Sequence, residues 1–295
     1  MIGAGPVRGR GRATRAAVRA GLNQGWIELS HCFTMIEDSF EILLFPLVSV
    51  AILLVVDAKH EHLPGTHFLI GSTVLAGMLV MNVGFNGMTG LGMRLTADRE
   101  DGSLLRAKAT PNGMVGYLIG RIVVVSGTIM FTVVGLLIVG LAPFGGLALG
   151  RAMTWLTLAW VLALGLLATL PIGAMLGSLF PSVRSATVMM LGTFGLIGIS
   201  GIFYPITRLP EWLQWVGQAF PLYWLGLGVR SALLPGSLAA VEIGHSWRHL
   251  ATAGVLAAWA IAGLALAPIL LRRVARREAG SSVAARRERA MTRVI

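Results

Sequence analysis

Charged residues, cysteine and lysine are all scarce in this chain of 295 residues. Charged side chains make up 13% of it and apolar ones 55%, whereas about a quarter of a soluble domain is charged. The composition therefore excludes an ordinary soluble protein and indicates an integral membrane protein. Cys32 is the only cysteine, so the chain has no internal disulfide bond and its fold does not depend on oxidation.

Lysine occurs only at Lys59 and Lys108, and each follows an alanine. A P-loop needs a glycine directly before its lysine, which reaches the phosphates of bound ATP. Neither lysine belongs to such a motif, so if ATP powers this protein, a separate chain must bind it. No nucleophile–base pattern stands out either. We therefore expect no catalytic, cofactor-binding or metal site in this chain.

Six apolar segments are long enough to cross a membrane as helices, which takes about 17–25 residues, whereas barrel strands alternate over about 10. The predicted fold is an all-α integral membrane protein with a six-span transmembrane domain over residues 39–271. The predicted transmembrane helices are Ser39–Val56, Phe68–Met93, Val115–Ala142, Met153–Phe180, Ser185–Tyr204 and Leu250–Leu271.

Positive charge sets the predicted orientation. If both termini are cytoplasmic, 18 of the 24 Lys and Arg residues lie on the cytoplasmic side, five lie outside, and Arg121 lies within the third span. The first 25 residues also lack the apolar stretch of a cleavable signal peptide. We expect a multi-pass protein of the cell inner (plasma) membrane, with a basic cytoplasmic tail over 272–295. The charges flank spans and form no groove with interleaved aromatics, so they indicate lipid contact and no nucleic acid binding.

Residues 1–38 are predicted to form a cytoplasmic arm and an interfacial helix. Apolar residues at positions 22, 26, 29, 33 and 36 recur at helical spacing, which is typical of a helix lying in the membrane interface. An ordinary flexible arm is the alternative. Glu37, Asp38 and Glu41 follow at the cytoplasmic end of the first span, where their role stays open.

A charged island separates the second and third spans. Residues 93–111 carry seven charges, and a segment this polar cannot lie unpaired in hydrocarbon. We expect it to project into the cytoplasm, solvated, where a soluble partner can bind it. A short helix is predicted to start near Gly102–Ser103 with Ser103 as its cap, and Pro111 would end it. An ordinary polar hairpin is the alternative.

Residues 205–249 are too apolar for a loop and contain four prolines. Irregular backbone at membrane depth persists only where protein or water covers it. We therefore predict an external re-entrant helical hairpin, built of two short helices. Its aromatic residues suit the headgroup boundary, and Trp212, Trp215 and Tyr223 are candidates for a lid on an exit path.

Polar residues within the predicted spans are few. Asn82 and Asn86 lie four apart in the second span and therefore share a face. They form interhelical hydrogen bonds or line a translocation path. Spans two to six contain no acidic residue, whereas proton-driven carriers place relay carboxylates there. This disfavours a proton-coupled secondary transporter. A non-transport membrane scaffold is the other alternative, and it would need neither the asparagine face nor an aromatic lid.

The island contains the string Arg99-Glu100-Asp101-Gly102-Ser103-Leu104, followed by Arg106 and by Ala109-Thr110-Pro111. The external segment contains Pro210-Glu211-Trp212-Leu213 and Phe220-Pro221-Leu222-Tyr223. Together with the six spans, these strings resemble the type-2 permease family of ABC transporters, the daunorubicin-resistance kind. The resemblance covers essentially the whole chain.

The resemblance implies a permease subunit that exports an amphipathic drug, lipid or glycolipid-like substrate from the cytoplasm or inner leaflet, as in bacterial multidrug efflux. Two permease subunits, identical or homologous, would pair with two ATP-binding subunits, which would hold the ATP and Mg²⁺. The island would form a coupling helix docked on the ATPase. Its candidate contact residues are Asp98, Arg99, Glu100, Asp101, Gly102, Ser103, Leu104 and Arg106.

Overall fold

Helices make up the described chain almost entirely. A computed structural model describes residues 7–34, 36–58, 70–109, 113–140, 150–180, 182–267 and 269, and all regular structure in these ranges is helical. The all-α fold class is confirmed. The α-helices are α1 (Val7–Cys32), α2 (Ile36–Ala58), α3 (Ile70–Phe85), α4 (Leu91–Glu100), α5 (Ser103–Lys108), α6 (Gly113–Gly140), α7 (Ala152–Leu179), α8 (Val183–Ile199), α9 (Glu211–Ala219), α10 (Pro221–Leu233) and α11 (His249–Ala267).

Four helices of the described chain are long and apolar enough to cross a membrane. They are Gly71–Glu100, Gly113–Gly140, Ala152–Leu179 and His249–Ala267, and they cover most of the predicted second, third, fourth and sixth spans. The predicted first and fifth spans fall on shorter apolar helices, Pro46–Val56 within α2 and Arg184–Ile199 in α8. The chain is therefore a multi-pass membrane protein by length and composition, and six complete spans remain a prediction.

The second of the predicted spans extends further than its sequence indicates. The helix continues through a π-helical turn, Asn86–Gly90, into α4 and ends at Glu100, although the prediction ended it at Met93. Close packing on α7 explains this. The backbone around Gly92 touches α7 so closely that a Cβ atom added at Gly177 would lie 2.5 Å from the Gly92 carbonyl oxygen. The first part of the charged island is therefore helical and packed against a neighbour.

Helix α1 packs lengthwise along α6, with Gly21 against Gly116, Gly25 against Gly120, and Phe33 against Phe131. Both helices therefore run in the same direction. The placement of α1 in the membrane interface stays a prediction.

The face of α1 that is buried differs from the predicted one. Among residues 15–32 of α1, whose burial the structure describes, Gly21, Gly25 and Cys32 are buried, whereas Leu22 and Trp26 of the predicted apolar stripe are exposed. Small residues allow two helix backbones to approach closely in a membrane. The glycine face therefore packs on α6, and the larger apolar side chains remain on the outside.

The segment between α8 and α11 contains two short helices and several 3-10 turns. Helix α9 is amphipathic and lies at the surface, while almost every residue of α10 is buried. Leu222 and Leu225 of α10 belong to one continuous apolar core with residues of α3, α6 and α7. A helix of 13 residues is too short to span a membrane. The prolines thus correctly indicated two short helices, and their re-entrant placement stays a prediction.

Candidate coupling site

The charged island ends in a sharp corner between α4 and α5. Gly102 forms this corner with a φ of 74°, a left-handed conformation that glycine adopts without strain. Gly102 also occupies the N-cap position of α5, so the predicted capping by Ser103 is wrong. Ser103 is instead the first helical residue, and its hydroxyl accepts a hydrogen bond from Arg106. Pro111 lies outside the described residues.

Asp98 is buried, which contradicts the prediction that it is solvated. Its carboxylate accepts two hydrogen bonds from Arg121 of α6, from Nε at 2.7 Å and from Nη2 at 2.6 Å. The Tyr117 hydroxyl donates a further hydrogen bond to it. Such a paired, bidentate arrangement is how a carboxylate is accommodated away from water. Asp98 therefore fastens α4 to α6.

Arg99, the next residue, fastens α4 to a different helix. Its Nη1 atom donates to the carbonyl oxygens of Gly177 at 3.0 Å, Ser178 at 3.3 Å and Phe180 at 3.2 Å. These carbonyls belong to the C-terminal end of α7, where a helix has unsatisfied acceptors and a partial negative charge. A positive side chain placed there stabilises the end of α7 and holds α4 beside it.

The remaining predicted contact residues divide between the interior and the surface. Leu104 is buried, whereas Glu100, Asp101 and Arg106 are exposed. Gly102 and Ser103 are partly exposed. The structure therefore brings all eight residues to one corner, but it directs Asp98, Arg99 and Leu104 inward and leaves charged residues of both signs on the outside.

A groove opens beside this corner, between α1, α5 and the first turns of α6. We call it the coupling groove; it has a volume of about 450 Å³, within the range of about 300–1,000 Å³ that ligand pockets occupy. Its polar lining residues are Gln24, Ser103, Arg106, Tyr117 and Arg121. The groove thus joins the exposed side of α5 to the buried Asp98–Arg121 pair.

The candidate path residues Asn82 and Asn86 do not line the coupling groove. Asn82 is buried, and its amide oxygen has no hydrogen-bond partner. Asn86 is partly buried and is the first residue of the π-helical turn. Leaving a buried amide oxygen without a partner is energetically costly. This atom does not form the predicted interhelical hydrogen bond, so such a bond does not account for an asparagine at position 82. A role in a translocation path stays a prediction.

The three candidate lid residues do not share one surface. Trp212 and Trp215 lie on the outer face of α9 and are 65% and 74% exposed, whereas Tyr223 lies fully buried in the core. Trp212 and Trp215 are three residues apart on a helix and therefore neighbours. Any lid in this segment thus involves the two tryptophans on α9, and Tyr223 contributes to packing.

Sequence reasoning missed the partners of the charged residues. Glu28 and Tyr117 were not singled out, and Arg121 was noted only as a charge inside a span. A charged residue within a span needs a partner, so Arg121 was itself the signal. The buried pair of Arg230 and Glu242, 2.8 Å apart, was also missed. Within the described ranges, no three His, Cys, Asp or Glu side chains form a group that would hold a metal ion.

Comparison with protein families identifies the chain. No curated protein matches it. The family model described as ABC-2 family transporter protein matches residues 64–267, a range that begins shortly before α3 and ends at the last residue of α11. This match covers well over half of the chain, so the protein belongs to the ABC-2 family of transporter proteins and is a membrane permease component.

Proposed function

We propose that this chain is the permease subunit of an ATP-driven exporter, powered by a separate ATP-binding subunit that docks on the α4–α5 corner. One observation carries the proposal. Asp98 and Arg99 bind neighbouring helices, while Asp101 and Arg106 stay exposed beside them. A partner protein can therefore bind the exposed charged side chains of this corner. Movement of the corner is then transmitted to α6 through Asp98 and to α7 through Arg99.

The coupling groove supports the same docking site. It lies against α5 and has Arg106 and Ser103 on one wall and Gln24 of α1 on another. Polar groups at a rim give specificity and orientation to a protein partner. An ATP-binding subunit that covers α5 would place its own side chains into this groove.

The open glycine face of α8 supports a second permease subunit. Cβ atoms added at Gly192, Gly195 and Gly198 would meet nothing within 4 Å, so this face packs on no other part of the described chain. Glycine faces permit close helix contacts in membranes. We propose a dimer of permeases, with two ATP-binding subunits, in the plasma membrane. The apolar composition of the predicted spans suits an amphipathic or lipid-like cargo.

One observation favours the alternative of a proton-coupled carrier. Asp98 is a buried carboxylate within the candidate span Gly71–Glu100, where the sequence reading expected none. A carrier would need this carboxylate to exchange a proton during each cycle. In our proposal Asp98 instead stays bound to Arg121, and export depends on ATP and not on a proton gradient.

Reconstitution tests the proposal. The purified chain in lipid should hydrolyse no ATP, because neither lysine belongs to a P-loop. Adding the ATP-binding subunit should produce ATP turnover and export into vesicles, and a protonophore should leave both rates unchanged. ATP turnover by the chain alone, or export that a protonophore abolishes while ATP is present, would contradict it.

A further inference from the structure

Arg121 connects two helices that are otherwise far apart in the chain. Its Nη1 atom donates to Glu28 of α1, while its Nε and Nη2 atoms donate to Asp98 of α4. The guanidinium thus uses three nitrogen atoms on two carboxylates from two different helices. The side chains of Arg121, Asp98 and Glu28 are 18%, 10% and 33% exposed, so Arg121 and Asp98 are largely shielded from water.

Only arginine has the geometry for this arrangement. Its planar, forked guanidinium presents donors in fixed directions, and two of them match the two oxygens of a carboxylate. A lysine ammonium keeps the charge but is a compact group without this fork. Lysine at position 121 would therefore retain the attraction and lose the simultaneous orientation of both carboxylates.

Arg121 adds a directional polar contact to the interface of α1 with the start of α6. On the N-terminal side of Glu28 the two helices touch through glycine backbone, with Gly21 against Gly116 and Gly25 against Gly120. Backbone surfaces of this kind pack closely but lack the interdigitating side chains that fix the position of one helix along another. The hydrogen bond from Arg121 to Glu28 is a directional contact at the C-terminal end of this glycine-lined part of the interface.

The other end of the network leads directly to α5. Asp98 lies in the last turn of α4, and Gly102 forms the corner from which α5 starts. A displacement of α5 therefore moves Asp98, and through Arg121 it acts on Glu28. Beyond Glu28, α1 ends at Cys32, and α2 begins at Ile36. The network thus connects the docking corner with the helix that contains the predicted first span.

We propose that Arg121 is a positioning residue that makes α1 move together with the α4–α5 corner, so that α1 and α2 follow the docked ATP-binding subunit. This inference rests on the proposed function for the partner, but the link between α1 and α5 is a property of the chain itself. It adds Glu28 and Arg121 to the predicted coupling residue Asp98, and it assigns the N-terminal helix an active part in coupling.

Spin-label distances in the full chain in lipid nanodiscs test the link without any partner. With Cys32→Ala as background, labels at Arg19 and Ala109 report the distance between α1 and the end of α5, both positions being exposed. Labels at Ala109 and Ile122 report the distance between α5 and α6.

Glu28→Ala should broaden and shift the α1–α5 distance distribution and leave the α5–α6 distribution unchanged. Arg121→Lys should broaden the α1–α5 distribution while the thermal midpoint stays near that of the unmodified chain, which a purely structural role would not produce. Arg208→Gln and Glu211→Gln, both exposed positions in the predicted external segment, serve as controls without effect.

Coupling in vesicles with the ATP-binding subunit is the second measurement. Glu28→Ala and Arg121→Lys should retain ATP turnover but reduce the export per ATP by about fivefold or more, the lower bound of typical coupling between sites. An unchanged α1–α5 distance distribution would overturn the inference, and so would a broadened one with normal export per ATP. If the unmodified chain binds no ATP-binding subunit, the proposed function fails, and the distance measurement alone decides whether Arg121 links α1 to α5.

Discussion

Four consecutive residues of the charged island occupy different environments. Asp98 is bound by Arg121 and Tyr117, Arg99 binds the end of α7, and Glu100 and Asp101 are exposed. Helical geometry explains the separation, since successive residues are rotated by 100° around the helix axis. Charge alone therefore does not tell which of these side chains a partner can reach, and substitutions within this string should differ sharply in their effects.

Removal of the buried carboxylate should destabilise the protein far more than removal of its exposed neighbour. Asp98→Ala leaves Arg121 with Glu28 as its remaining acid, and breaking a buried pair costs about 3–5 kcal/mol. Asp101→Ala should cost about 0–1 kcal/mol, as exposed charges do. Thermal unfolding midpoints in detergent compare the two variants directly. Equal midpoints would contradict the structural role of the Asp98–Arg121 pair.

The exposed residues should act on coupling and not on folding. The double variant Glu100→Ala/Arg106→Ala should insert and unfold like the unmodified chain, because both side chains lie at the surface. If they contact the ATP-binding subunit, complex formation or export per ATP should fall in reconstituted vesicles. The matched control is Arg184→Ala, an exposed arginine at the start of α8. Normal export with normal ATP consumption in the double variant would exclude this corner as the coupling element.

At the scale of helices, apolar periodicity identified α1 but did not identify the helix on which it packs. The stripe of large apolar residues suggested a membrane interface, whereas the burial of Gly21, Gly25 and Cys32 shows that the small face packs on α6. The sequence does contain the signal. Gly21 and Gly25 are spaced by four, as are Gly116 and Gly120, and such small-residue pairs on two helices favour close contact.

Gly116→Ala and Gly135→Ala, both in α6, should therefore have opposite effects on the thermal midpoint. A Cβ atom added at Gly116 lies 2.9 Å from the Ala17 carbonyl oxygen, while one at Gly135 meets nothing within 4 Å. Gly135→Ala should keep or raise the thermal midpoint, because alanine is favoured over glycine in helices by about 1 kcal/mol. Gly116→Ala should lower it by forcing α1 and α6 apart. A midpoint raised by both substitutions would show that the α1–α6 contact is loose.

The extent of the second long helix was beyond sequence reasoning for a physical reason. Residues 93–100 look like a solvated loop because their charges are unfavourable in hydrocarbon. They remain helical because the partners that neutralise Asp98 and Arg99 come from α6 and α7, distant in the chain. Periodicity and composition describe one segment at a time, so they contain no information about a partner more than 20 residues away.

At the scale of the whole molecule, the sequence predicted the membrane class, the helical fold and the family. Continuous apolar segments are sufficient for the first two, and the string at residues 99–104 pointed to the family that residues 64–267 match. The same level of reasoning could not place side chains such as Tyr223 and Trp212, since one is buried and the other exposed within the same external segment. Burial within that segment depends on how α10 packs into the core.

Topology is the prediction that belongs to the whole chain. The distribution of arginine predicts that the α4–α5 corner lies in the cytoplasm and that residues 205–249 lie outside. In a Cys32→Ala background, Gly236→Cys should react with a membrane-impermeant maleimide added to intact cells, because this exposed position leaves room for a side chain. Ala109→Cys, also exposed, should react only after the membrane is permeabilised. The reverse labelling pattern would show the opposite topology, with the α4–α5 corner outside the cell. Because ATP is in the cytoplasm, that result would contradict the proposed docking of an ATP-binding subunit on this corner.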